Sequence, residues 1–87
     1  MPTVVATHEV KDVDHWLSSP RRQEFFGPLG VTDIRTFVNL TDRSHVSLSM
    51  DVPDMDAMMA ALQTQAGAAA MEYDGVLGET LVIYVQE

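Results

Sequence analysis

Apolar and polar residues alternate along the first stretch of the chain, residues 3–11. Val4, Ala6, His8 and Val10 fall on one face there, and Val5, Thr7 and Glu9 on the other. A period of two predicts a strand with one face toward a core. Residues 31–40 repeat the pattern, with Ile34, Thr36, Val38 and Leu40 against Arg35, Phe37 and Asn39. Residues 45–52 do so again, with Val46, Leu48, Met50 and Val52 opposite His45, Ser47, Ser49 and Asp51. Only the short turn "TDRS" separates these two runs, which predicts an antiparallel hairpin. A fourth strand is expected over residues 80–85.

Between the strands the period changes. Asp12 or Asp14 caps a helical region over residues 13–27, and Ser19–Pro20 is expected to break or kink it, because proline removes a main-chain donor. Gly27, Pro28 and Gly30 end that region. Asp54 caps a second helix over residues 55–71, with Met55, Met58, Met59, Leu62, Ala66 and Ala69 as its buried stripe. A bend or fraying is expected at Gly67, and "EYDGVLGE" reads as a turn before the last strand.

The resulting order is β-α-β-β-α-β, the signature of an α+β, ferredoxin-like fold with a four-stranded antiparallel sheet and both helical regions on one face. Residues 1–87 make a single domain. The far face of the sheet would carry Val5, Phe37, Val82 and Tyr84 beside Thr7, Ser47 and Ser49. A face this apolar predicts sheet-to-sheet pairing into a homodimer, with Arg35 and Tyr84 as interface hydrogen-bonding groups.

Charge narrows the partners. Five basic residues stand against thirteen acidic ones, for a net charge of −8. Residues 44–87 contain no Lys or Arg at all. Nucleic acid and anionic membrane surfaces are poor partners for such a chain. Arg21, Arg22 and Arg35 are the one candidate anion-binding patch, against the plainer reading of an acidic solvated surface. With no cysteine, disulfides, thiolate metal sites and cysteine nucleophiles are excluded. The opening "MPTVVATHEV" has neither the basic start nor the apolar run of a signal peptide, and no stretch is long and apolar enough to span a bilayer, so cytoplasmic residence is expected. Glycine-rich phosphate loops, G-x-S-x-G and a recognisable serine–histidine–acid spacing are also missing, which argues against nucleotide-dependent enzymes and hydrolases.

The opening strand, then "VKDVDHW" with Asp14 and Trp16 leading into the first helix, then "MDVPDMDAMMAAL" with a strand running into an acid-capped helix, resemble the dimeric α+β-barrel proteins. These include the antibiotic-biosynthesis-monooxygenase-like domains. The resemblance covers nearly the whole chain and specifies fold more than chemistry. It implies a homodimer whose two sheets close a barrel, with a ligand pocket between sheet and helices in each subunit. It also implies cofactor-independent oxygenase, isomerase or cyclase chemistry on a small aromatic or polyketide-like molecule. The haem-degrading branch relies on a histidine in the second helical region, and residues 54–71 contain none; no cofactor is therefore expected.

His8 is the candidate catalytic residue: it is the polar member of an apolar strand face, and imidazole titrates near neutrality. Trp16, Phe25, Phe26, Met58, Met59 and Tyr73 are the candidate substrate-binding residues, all able to wall an apolar pocket or, equally, to pack a core. His8, His15 and His45 lack helical metal-ligand spacing, so no metal site is expected, and His15 beside Asp12 and Asp14 reads as a solvated cluster. A non-catalytic ligand-binding or assembly module stands as the alternative, on the ground that few polar groups converge on the pocket.

Overall fold

A computed structural model describes residues 2–87. It contains β1 (Thr3–Val10), α1 (Val13–Ser18), α2 (Arg21–Phe26), β2 (Thr32–Val38), β3 (His45–Asp51), α3 (Met55–Leu62), α4 (Gln65–Asp74) and β4 (Val76–Val85), with a 3₁₀ turn, Gly27–Leu29, after α2. The sheet order is β2-β3-β1-β4 with every neighbouring pair antiparallel. This is the ferredoxin-like topology expected from the pattern.

Alternation sets the faces. Val4, Ala6, His8 and Val10 of β1 are buried beneath the helices, beside Val46, Leu48 and Met50 of β3. The registers Ala6↔Leu48 and His8↔Val46 place these rows directly opposite one another. Trp16, Phe26, Val31, Val52 and Met58 complete the core from above and at the ends. The opposite face presents Phe37, Val82 and Tyr84, which are 50%, 46% and 59% exposed.

Local chemistry explains the helix boundaries. Asp12 accepts the His15 N–H at 3.2 Å to start α1, and Ser19 Oγ accepts the Arg21 N–H at 3.2 Å to start α2 past Pro20. Gly30 closes the 3₁₀ turn in the left-handed conformation, at φ 77. Asp54 caps α3 through the Ala57 N–H at 3.1 Å.

The second helical region differs from expectation. It breaks at Gln63–Thr64, not at Gly67, because Thr64 caps a new helix by accepting the Gly67 N–H at 3.1 Å. Gly67 serves close approach instead: a Cβ there would sit 2.7 Å from the Ala61 carbonyl and 2.9 Å from that of Leu62. Helix α4 then runs on to Asp74, so Tyr73 is helical and not in a turn, and the final strand begins at Val76.

Strand β4 carries a bulge. Thr7 pairs with Val82 but Glu9 pairs with Leu77, so five residues of β4 answer two of β1. Inside the bulge, Thr80 Oγ1 accepts the Glu9 N–H at 2.8 Å and donates to the Leu77 carbonyl at 2.6 Å. A side chain thus replaces the missing ladder carbonyl. Among the described residues, no helix is long and apolar enough to cross a membrane.

Candidate functional site

Between the helices and the sheet lies a cavity that offers about 80 Å³ to the centres of water-sized molecules. By that measure a single water needs about 10–15 Å³, so the space suits several waters or one small ring. Its floor is Val4, Ala6 and His8 of β1, Leu48 and Met50 of β3, and Leu81 and Ile83 of β4. Its roof comes from Trp16, Arg22, Phe25 and Phe26 on one side and from Met58, Leu62, Met71 and Asp74 on the other.

His8 is only 5% exposed. Its ring meets the Trp16 ring edge to face, with centroids 5.6 Å apart. Burial pushes its pKa below the ordinary value of 6.5. The Glu9 carbonyl raises it and Arg22 lowers it, while Asp74 raises it, all by less than burial does. The ring is therefore neutral at pH 7. Its Nδ1 has one contact, a long 3.4 Å approach to the Glu9 carbonyl.

Two charged residues join this ring. Arg22 stacks its guanidinium 4.5 Å above the Trp16 ring. It faces Asp74 across 3.7 Å from Nη1 to Oδ2, with the two side chains 11% and 6% exposed. Burial lowers the Arg22 pKa and Asp74 raises it in return, and a guanidinium so placed keeps its charge.

The sequence-predicted residues separate into two groups. His8, Trp16, Phe25, Phe26 and Met58 all line the cavity, Phe25 and Phe26 as an edge-to-face pair with centroids 5.1 Å apart. Met59 is exposed and outside it. Tyr73 is outside it as well, lying under the Arg21 guanidinium at 4.5 Å. Its carbonyl accepts from His15 Nε2 at 2.8 Å, so His15 ties α1 to α4 and is no mere solvated neighbour of Asp12 and Asp14. Arg35 stands on the open face and pairs with Asp33 at 3.2 Å, remote from Arg21 and Arg22, so the three arginines make no common patch.

Asp74 was missed, and Arg22 was seen only as part of that patch. One signal was available. A carboxylate in the last turn of a helix opposes the helix dipole, and Asp74 is the last residue of α4 with no basic residue in that turn to offset it.

Solved structures share this fold. An antibiotic biosynthesis monooxygenase superposes with a TM-score of 0.64 at 15% identity, over 100% of this chain and 97% of its own. Two proteins given that name provisionally also match. One, from Bordetella bronchiseptica, reaches a TM-score of 0.74 at 13% identity, covering 99% of this chain and 94% of the other. The second, from Nitrosomonas europaea, reaches 0.67 at 11% identity, covering 100% and 97%.

The chain has the antibiotic biosynthesis monooxygenase-like fold. Identities this low carry the fold and leave the chemistry to the residues. No protein-family model matches the chain, and neither does any curated protein. Within this monooxygenase-like fold, His8, Trp16, Arg22 and Asp74 form a polar group in the wall of a cavity that is otherwise apolar except for Arg21.

Proposed function

We propose that the protein binds a small, mainly apolar aromatic or polyketide-like molecule in the cavity, and that His8 acts on it as a general base in cofactor-independent oxygenation or isomerisation. The observation that carries this reading is the state of the His8 ring. It is buried, held neutral by that burial, and part of the wall of a mainly apolar space. Donation from Nδ1 to the Glu9 carbonyl leaves Nε2 with its lone pair free to accept a proton.

A base in that state removes the proton of a phenolic or enolic O–H. The anion is electron-rich at the conjugated carbon, and there it adds dioxygen to form a hydroperoxide. Loss of water then leaves a carbonyl where a CH₂ stood. The CH₂ supplies all four electrons, one oxygen atom stays in the product and the other leaves as water, so no external reductant is needed. Return of the proton to a different carbon, without dioxygen, is an isomerisation by the same base. Trp16 and Phe26 shape the space and exclude water.

The binding-module alternative rests on a scarcity of polar groups in the pocket, whereas four titratable or charged side chains, His8, Arg21, Arg22 and Asp74, line this one. A second copy of the chain covers the open sheet face in this reading, with Phe37, Val82 and Tyr84 at the seam.

Native mass spectrometry of the purified protein, followed by dioxygen uptake with a panel of phenols and enolisable ketones, tests the proposal. Twice 9.6 kDa and uptake abolished by His8→Gln are expected. Uptake undiminished in His8→Gln would overturn the base assignment, and a monomeric mass would remove the dimer.

A further inference from the structure

Arg22 and Asp74 meet at the cavity wall without satisfying each other. Nη1 and Oδ2 stand 3.7 Å apart, about 1 Å longer than a charge-assisted hydrogen bond. Arg22 Nη1 and the other carboxylate oxygen, Asp74 Oδ1, are both buried and have no hydrogen-bond partner among the described residues. Unmade hydrogen bonds on buried charged groups are costly. The arginine is held back from the acid by α1: its guanidinium rests on Trp16 at 4.5 Å, and Nη2 reaches the Leu17 carbonyl at 3.5 Å. A donor and an acceptor are thereby left side by side at the cavity wall.

Charge decides what fits there. An anion would meet the Asp74 carboxylate and a cation the Arg22 guanidinium, whereas the pair together sums to zero. Apart from His8 and Arg21, whose exposed side chain carries its guanidinium over the Tyr73 ring at 4.5 Å, the remaining wall, including Val4, Leu48, Met50 and Met58, is apolar. We infer that Arg22 and Asp74 form a two-point anchor for a neutral ligand whose polar edge carries a hydrogen-bond acceptor beside an N–H or O–H donor, as in a carboxamide or a hydroxy-carbonyl compound, with an apolar ring beyond that edge. This rests on the reading of the cavity as a ligand site. A small rotation of each side chain toward the cavity brings these buried atoms to the ligand: its acceptor takes the Arg22 Nη1 hydrogen, and its donor gives to Asp74 Oδ1. Both orphaned atoms are then satisfied, and the ring extends over the apolar floor.

Trp16 is the only tryptophan in the chain and touches Arg22, so its fluorescence reports occupancy directly. Four single-ring probes separate the possibilities: benzamide (acceptor and donor, neutral), benzoate (acceptors, anionic), benzamidine (donors, cationic) and toluene (neither). Benzamide is expected to bind about tenfold or more tighter than each of the others. In the variant R22M/D74L, which replaces the buried pair by apolar groups of similar size, benzamide should fall to the affinity of toluene while toluene keeps its own. In Asp74→Asn, which preserves shape and removes the negative charge, benzoate should gain about tenfold. Benzoate or benzamidine binding the native protein as tightly as benzamide would overturn the anchor. Equal binding of benzamide and toluene would overturn it and leave the cavity's role as a ligand site standing. Silence from all four probes would overturn both.

Discussion

The two faces of the sheet are made by alternate residues of the same strands, yet they end in opposite conditions. Beneath the helices, Val4, Ala6, Val10, Val46, Leu48 and Met50 are buried, and a histidine is buried among them. One residue away along each strand, Val5, Thr7, Ser47, Phe37, Val82 and Tyr84 mix apolar and small polar groups on a face the chain does not cover. The covered face gains its stability by desolvation and carries the unsatisfied polar atoms that suit chemistry. The open face has apolar area and no buried charge, which suits association. A single period of two thus separates a face that holds a candidate site from a face suited to assembly.

The covered face should break most severely. Trp16→Ala removes a side chain that is 1% exposed and supports both His8 and Arg22. A loss of about 3–5 kcal/mol is expected in denaturant unfolding. Asp74→Ala comes next, because it leaves the Arg22 guanidinium buried without its counter-charge; about 3 kcal/mol should be lost in the same assay. On the open face, Val82→Asp should leave monomer stability nearly unchanged and weaken the proposed dimer about 100-fold, read by sedimentation. Equal damage to folding and association would erase the division between the faces.

Gly67→Ala reverses a familiar sign. Alanine usually stabilises a helix interior by about 1 kcal/mol over glycine. Here the new methyl would press on the Ala61 and Leu62 carbonyls, so a loss of about 1–2 kcal/mol is expected in thermal unfolding.

The smallest effect is on pH. Burial holds the His8 pKa below 6.5 in the folded state, so the unfolded chain binds the proton first. Stability is full above pH 6.5 and declines as the pH falls toward the folded-state value, by up to about 1.4 kcal/mol per unit. Comparison with His8→Phe isolates this share from that of the carboxylates: the variant should lack the slope just below pH 6.5.

Much of this was legible in the sequence where the signal is local. Alternation assigned Val4, Ala6, His8 and Val10 to the helix side, and Asp54 and Pro20 marked boundaries that the fold respects. Three features escaped. The separate start of α4 escaped because a threonine capping in mid-run resembles any polar helix residue, and the glycine three residues on drew the expected bend. The first half of β4 escaped because its bulge breaks the phase: Val76 faces the helices before it, and Leu81 and Ile83 do so after it. No continuous alternation spans the strand. The Arg22–Asp74 pair escaped for a third reason. Its members lie on helices that only the folded sheet brings together, and spacing along the chain carries no trace of that meeting.

The roof of the cavity is made of very short helices, six residues each in α1 and α2, eight in α3 and ten in α4. Below about 12–15 residues a helix does not persist in water by itself, so each of these exists only while it is packed. The floor is different, a sheet whose central strands are hydrogen-bonded on both sides. Amide protons of α1 and α2 should therefore exchange with solvent well before those of β1 and β3. Each such opening uncovers the cavity further, so under the proposed function local unfolding of the roof is one route by which a molecule reaches His8 or leaves it.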